Sequence, residues 1–296
     1  MTNSAYSRTD LACETRPADL PAMPGVRSRE TNENGIAVSD LIIADEEAAR
    51  LIGKPIGRYV TLSRPKLWQV SGEDYDHFRD CLAEHLRSLA VGMTGRRPDS
   101  SFGVLVAGLG NRDITADAIG PQTAQKLAVT RHLRDREPEV FAAIGRCALS
   151  ALSPGVLGQT GIETVELIRG AAENAEPDLV IAVDALAARA CERLASTVQL
   201  CDRGIEPGSG VGNHRRPICR ETVGVPVLGL GVPTVVDSST LVYDALGRAG
   251  IGAISDELRA VLENGRGFFV SPKESDVITA HLSTLLAESI EQAFAV

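Results

Sequence analysis

The 296-residue chain lacks most of the signatures that assign an enzyme class on sight. It has no HExxH, no Cys-x-x-Cys pair, no GxxxxGK[ST] phosphate loop and no GxSxG elbow. Those absences argue against zinc peptidases, P-loop enzymes and α/β-hydrolase esterases. Gly108 and Gly110 open a GxG, but position 113 is Asp113, so the dinucleotide fingerprint fails. The five histidines (His77, His85, His132, His214, His281) are too dispersed for a zinc site. His77 and His85 read as helix-face residues. A basic excess is also missing: 30 Lys and Arg against 39 Asp and Glu give 30 − 39 = −9, against a dedicated nucleic-acid binder. The longest apolar runs, Phe102 to Gly110 and Leu179 to Ala190, fall short of the roughly 20 residues that cross a membrane. The amino terminus lacks a basic start followed by an apolar run, so no secretory signal is expected. The six cysteines (Cys13, Cys81, Cys147, Cys191, Cys201, Cys219) are scattered through apolar or helical text. They read as buried free thiols of a reducing, cytoplasmic compartment.

What is present is an ordinary globular composition. Apolar residues make up 44% and charged residues 23%, which excludes wholesale disorder. Residues 1 to about 36 read as a polar, loosely held leader. Ala37–Ile43 and Arg58–Ser63 read as short strands around a brief helix at Glu46–Leu51. A long amphipathic helix follows, with a capping start at Ser71 and Asp74 and with Phe78, Leu82, His85, Leu86 and Leu89 at helical spacing; Gly92–Ser100 reads as a loop. Phe102–Ala107, Leu179–Val183 and Val225–Leu230 are continuous Val, Ile and Leu runs, each followed by a turn and a helical segment. That alternation predicts parallel strands buried on both faces. Helices are expected at Pro121–His132, Ile162–Asn174, Ser238–Ala249 and Val277–Phe294. The whole predicts one α/β domain of three layers, helix–sheet–helix, with a mostly parallel central sheet.

In such sheets ligands bind beyond the carboxyl ends of the strands. The loops there carry acids: Asp113 and Asp117 after the first strand, Asp184 after the second, Asp237 after the third. Asp237 precedes Ser-Ser-Thr and reads as a helix cap. Asp184 directly follows DLVIAV and precedes Ala-Leu-Ala-Ala, a poorly solvated setting that is costly unless the carboxyl is bonded or functional. Two neighbouring carboxyls tend to share one proton, so one can act as base toward water while the other polarises a carbonyl. Asp117 and Asp184 are therefore the candidate pair for peptide hydrolysis without a metal. The glycine-rich Pro207–Asn213 reads as a close-packed loop rather than a phosphate cradle.

Seven segments carry a resemblance: GLGNRDITADAIGP (108–121), VTRHL (129–133), SPGVLGQTGIETVELIRG (153–170), PDLVIAVDALAARA (177–190), GIEPGSGVGN (204–213), GVPVLGLGVPTVVDSST (224–240) and VSPKESD (270–276). Together they resemble the germination proteases of endospore-forming bacteria, from Arg8 nearly to the carboxyl terminus. The resemblance implies an endopeptidase that degrades small acid-soluble spore proteins. It implies an atypical aspartic type with Asp117 and Asp184 as catalytic residues, no cofactor, and an α/β fold similar to hydrogenase maturation endopeptidases. It further implies a homotetramer made in the forespore as a zymogen. The zymogen loses a propeptide by self-cleavage, here between Asp10 and Leu11, which leaves residues 11–296 as one peptidase domain. Gly108, Gly110, Asn111, Asp113, Arg189 and Asp237 are candidate supporting residues of the same loops. Three positions depart from the family pattern: the leader before Arg8 is short, Cys13 stands where a small aliphatic residue is expected, and the Gly250–Phe268 region is short. Two other readings stay open. One is a metal-dependent maturation peptidase, for which His214, beside Arg215 and Arg216, is the one comparable histidine; the other is a catalytically silent relative.

Overall fold

A computed structural model describes residues 8–15, 23–208, 215–251, 255–264 and 268–296. Ser209–Asn213 of the glycine-rich stretch and His214 lie outside the described residues, as do residues 1–7 and 16–22 of the leader.

Among the described residues nine strands form one sheet: β1 (Val26–Glu33), β2 (Ile36–Ile43), β3 (Gly57–Ser63), β4 (Gly103–Gly108), β5 (Ala148–Leu152), β6 (Leu179–Ala188), β7 (Thr197–Cys201), β8 (Val227–Asp237) and β9 (Phe269–Val270). The order is β1-β2-β3-β7-β8-β6-β4-β5, with β9 paired to β8. β5, β4, β6 and β8 run parallel. β1, β2, β3 and β7 add an antiparallel half. The expected mostly parallel sheet is therefore a mixed one. The apolar runs marked β4, β6 and β8 of the parallel half, whose strands are covered on both faces, and missed β5. β1 escaped the pattern because its text, VRSRETNE, is largely exposed and carries no apolar alternation. What fixes it is the turn: Asn34 and Gly35 both have positive φ (53° and 84°), the hairpin geometry that Asn-Gly favours.

Alternate residues of the strands feed two cores. Val104, Val106, Ile181, Val183, Val198, Leu200, Leu228 and Leu230 pack with the helices Glu73–Thr94 and Ser275–Ala293. Leu105, Ala107, Val180 and Ala182 pack against Val165, Ile168 and Ala172 of the helix Thr164–Ala175. Toward β3 the second face is covered by Ala48 and Ile52 of the helix Glu46–Ile52, together with Ala12. Helices thus lie on both faces, three layers deep. Locally the expectations shift in three places. The long helix starts at Glu73 without a side-chain cap and runs on to Thr94. The helix expected at 121–132 is two pieces, Ile119–Lys126 and Arg131–Arg136. The cysteines are unpaired, but Cys191 is exposed, and Cys13, Cys81 and Cys219 are half-buried. No helix among the described residues is long and apolar enough to cross a membrane.

Candidate active site

The two candidate aspartates are held by different elements. β4 ends at Gly108, paired with Val183, while β6 continues beside β8 to Ala188. Asp184 is therefore not on a loop. It is the first β6 residue past the last β4 pairing, inside the strand and 6% exposed. Asp117 does lie in the loop after β4, in the tight turn Thr115–Asp117. That turn is tied down twice: Thr234 Oγ1 of β8 donates to Ala116 C=O at 2.6 Å, and Thr279 Oγ1 donates to Thr115 C=O at 3.2 Å.

Both carboxyls sit high. Burial pushes Asp184 well above the ordinary carboxylate range, and the charges of Asp117 and Asp10 push it further. Burial also raises Asp117, but the Asn111 N–H, donated to Asp117 Oδ2 at 2.6 Å, pulls back toward the charged form. The neighbours divide into scaffold and site. A Cβ on Gly110, at φ +110°, would fall 2.1 Å from Asp117 C=O, and one on Gly108 the same distance from Gly120 C=O. The GxG therefore serves close packing of the turn on the strand. Asn111 Oδ1 and Asp113 Oδ2 accept from Gln159 Nε2 at 2.9 and 3.4 Å, which pins the loop to the helix Leu157–Thr160 and leaves Asp113 exposed. Asp237 caps the helix Ser238–Arg248, as its sequence context indicated: its Oδ1 accepts from Thr240 N–H at 2.9 Å.

A cavity of about 840 Å³ opens on the Asp184 face of the sheet. Asp184, Gln199 and Gly231 line it, with Lys54, Thr9 and Asp10; Asp117 does not. Asp184 pairs with Gly231, and Gly231 with Gln199, so the three form one lateral row across β6, β8 and β7 with a bare glycine in the middle.

Residues 9–14 are docked here. Past the end of β4, Ala187 exchanges two bonds with Asp10: Asp10 N–H donates to Ala187 C=O, and Ala187 N–H donates to Asp10 Oδ2, both at 2.8 Å. Leu11 is fully buried among Leu186, Ala188 and Val236. Gln199 Nε2 donates to Asp10 C=O at 3.1 Å, and its Oε1 accepts from Ala12 N–H at 2.7 Å. Lys54 Nζ donates to Thr9 C=O at 2.9 Å. The Glu14 carboxylate accepts from Arg189 N–H at 2.7 Å, from Ala190 N–H at 3.0 Å and from the Thr9 hydroxyl. Arg189 thus enters through its main chain. Sequence reasoning passed over Gln199 and Lys54. The available signal was a glutamine amid a short apolar pentad, TVQLC, a residue that cannot be buried without partners. Among the described residues the one group of three ligand-type side chains is Glu33, Cys81 and His85, and it includes neither aspartate.

Comparison with known families places the chain among the peptidases. It belongs to the germination protease family, whose model matches residues 8–248. It is 45% identical over 240 residues to a germination protease of Caldanaerobacter subterraneus subsp. tengcongensis, covering 81% of this chain and 72% of that one. It is 39% identical over 318 aligned residues to a germination protease of Clostridium perfringens, covering 97% and 94%. A Bacillus pumilus germination protease is 41% identical over 254 residues, covering 82% and 67%. The match begins at Arg8, the first described residue of the docked segment.

Proposed function

We propose that this chain is the endopeptidase of spore germination that cuts small acid-soluble spore proteins, and that Asp117 and Asp184 activate the water. Asp184, pushed up by burial and by two like charges, carries the proton. Asp117, held by the Asn111 N–H, is the ionised base. Water oxygen bonds to the peptide carbonyl carbon as Asp117 takes its proton, and the carbonyl electron pair moves onto oxygen. The tetrahedral centre collapses, the C–N bond breaks, and the leaving nitrogen takes the Asp184 proton. No cofactor enters. A homotetrameric zymogen of the spore core, with residues 1–10 as propeptide, is part of the same reading.

The observation that carries it is the docked segment. In an acid followed by an apolar residue, Asp10-Leu11, Asp10 lines the cavity that Asp184 lines while Leu11 is buried beside it. Asp10 bonds β6 through its N–H and carboxylate on one side and Gln199 through its C=O on the other. Leu11 is extended before the tight 3-10 turn Ala12–Glu14, and an extended residue bonded to a strand is how a sheet holds a peptide. The test is maturation of purified protein without other proteases. Wild type should acquire an amino terminus at Leu11, read by mass spectrometry, and Asp184→Asn should stay intact. Maturation of Asp184→Asn at the wild-type rate removes the pair from the reaction.

A further inference from the structure

We propose that Gln199 is a third catalytic residue: its amide holds and polarises the carbonyl of the bond that is cut, and sets the register of the chain beyond it. The proposal rests on the reading above, in which that bond is Asp10–Leu11.

Gln199 sits in the middle of a strand whose five residues are all buried, and it is itself 7% exposed. A primary amide in that position needs both its donor and its acceptor used. Both are used on the segment: Nε2 on the Asp10 carbonyl oxygen and Oε1 on the Ala12 N–H. A carbonyl can only accept and an N–H can only donate, so the pair of contacts fixes which end of the amide points where. Neither contact touches a side chain. Any extended peptide with the same bond in place offers the same two groups, so the device works on a separate substrate as it does on the chain's own residues.

The sheet supplies the spacing. Gln199 and Asp184 flank Gly231 in one row of paired residues, two strand separations or about 10 Å apart at the backbone. Gly231 has no side chain, and the room this leaves is taken by Leu186, whose Cγ would lie 2.5 Å from a Cβ there, so a peptide crossing between the two arms packs on Leu186 as Leu11 does. One arm carries a carboxyl and the other an amide donor. In the addition step the carbonyl electron pair becomes charge on the oxygen that Gln199 Nε2 already bonds. A donor aimed at developing charge in a water-poor site strengthens as the charge grows. Lys54 adds a cation on the same side, through the neighbouring carbonyl of Thr9.

Self-cleavage of the full-length chain, followed as a first-order rate, tests this. Gln199→Ala should slow maturation by about 10²–10³-fold, the usual effect of removing one such donor. Gln199→Glu keeps the length and separates chemistry from packing. Ionised, the substituted carboxyl can only accept; protonated, it regains a donor. Its maturation should be slow at neutral pH and should recover relative to wild type as the pH falls, a profile that lost packing does not produce. Should Gln199→Ala not fold, the Gln199→Glu profile decides alone. Asp184→Asn run alongside separates the two readings. If Asp184→Asn matures normally, the aspartate mechanism fails. If Asp184→Asn is inert while Gln199→Glu matures at the wild-type rate at every pH, the aspartates stand and the Gln199 proposal is overturned.

Discussion

Leu11→Ala measures how firmly the groove holds the segment. Leu11 has no exposed surface and packs among Leu186, Ala188 and Val236, with Leu194 and Leu241 alongside. The substitution deletes three carbons. At about 0.8 kcal/mol each that is about 2.4 kcal/mol of lost transfer energy, and an unfilled cavity would raise it toward the upper end of about 2–5 kcal/mol. The main-chain bonds on either side remain available, so the loss falls on docking alone. With every 1.4 kcal/mol worth tenfold, the undocked population rises by about 50-fold. Native-state hydrogen exchange reads this directly at the Asp10 and Ala12 amides, whose acceptors are Ala187 C=O and Gln199 Oε1. Both proteins would carry Asp184→Asn to keep the chain uncut. Those two amides should exchange about 50-fold faster in Leu11→Ala, while the Val180 amide, bonded to Pro226 C=O inside the sheet, does not change. Leu11→Met, which conserves volume, should cost less than about 1.5 kcal/mol. Equal exchange in Leu11→Ala and its parent would mean that the pocket does not hold the segment, and the groove argument would fall with it.

Stability should depend on pH through Asp184. Its folded-state affinity for a proton exceeds that of the unfolded chain, so the folded state binds more protons above the unfolded value of about 3.9 and loses stability as the pH rises from there. Asp184→Asn removes that loss: its thermal midpoint should exceed wild type at pH 8 and meet it near pH 4, and a pH-independent difference would contradict the assigned direction. Peptidase activity should survive EDTA, since neither aspartate belongs to a ligand-type cluster among the described residues. Loss in EDTA with recovery in a divalent ion would favour the maturation-peptidase reading.

Of the parallel half, β4, β6 and β8 were legible because strands covered on both faces must be apolar throughout, while the short edge strand β5 was not. Of the antiparallel half, β2 and β3 were legible as Ala37–Ile43 and Arg58–Ser63, but β1 and β7 were not. β7 carries Thr197 and Gln199, and β1 carries seven polar residues in eight, so no hydrophobic period marked either. Asp184 stood out as an acid trapped in apolar text, but the strand's true end did not, because the pairing with β8 that carries β6 on to Ala188 is a long-range contact. The same limit hid the segment's docking. Leu11 reads as an isolated apolar residue in a polar leader, and only its neighbours across the sheet turn it into core.

A cut between Asp10 and Leu11 would divide the contacts unequally. The released side takes away the bonds to Ala187 and Lys54, while Leu11, Ala12 and Glu14 stay covalently joined to the body, facing their pocket, Gln199 and the Arg189–Ala190 amides. The new chain end is then a tethered competitor for half of the groove. A tether of this kind presents itself at an effective concentration on the order of millimolar. An incoming peptide has to displace it, so the matured enzyme would respond to substrate with a threshold set by its own first few residues. Chains shortened beyond Glu14 would bind substrate more tightly than a chain that begins at Leu11.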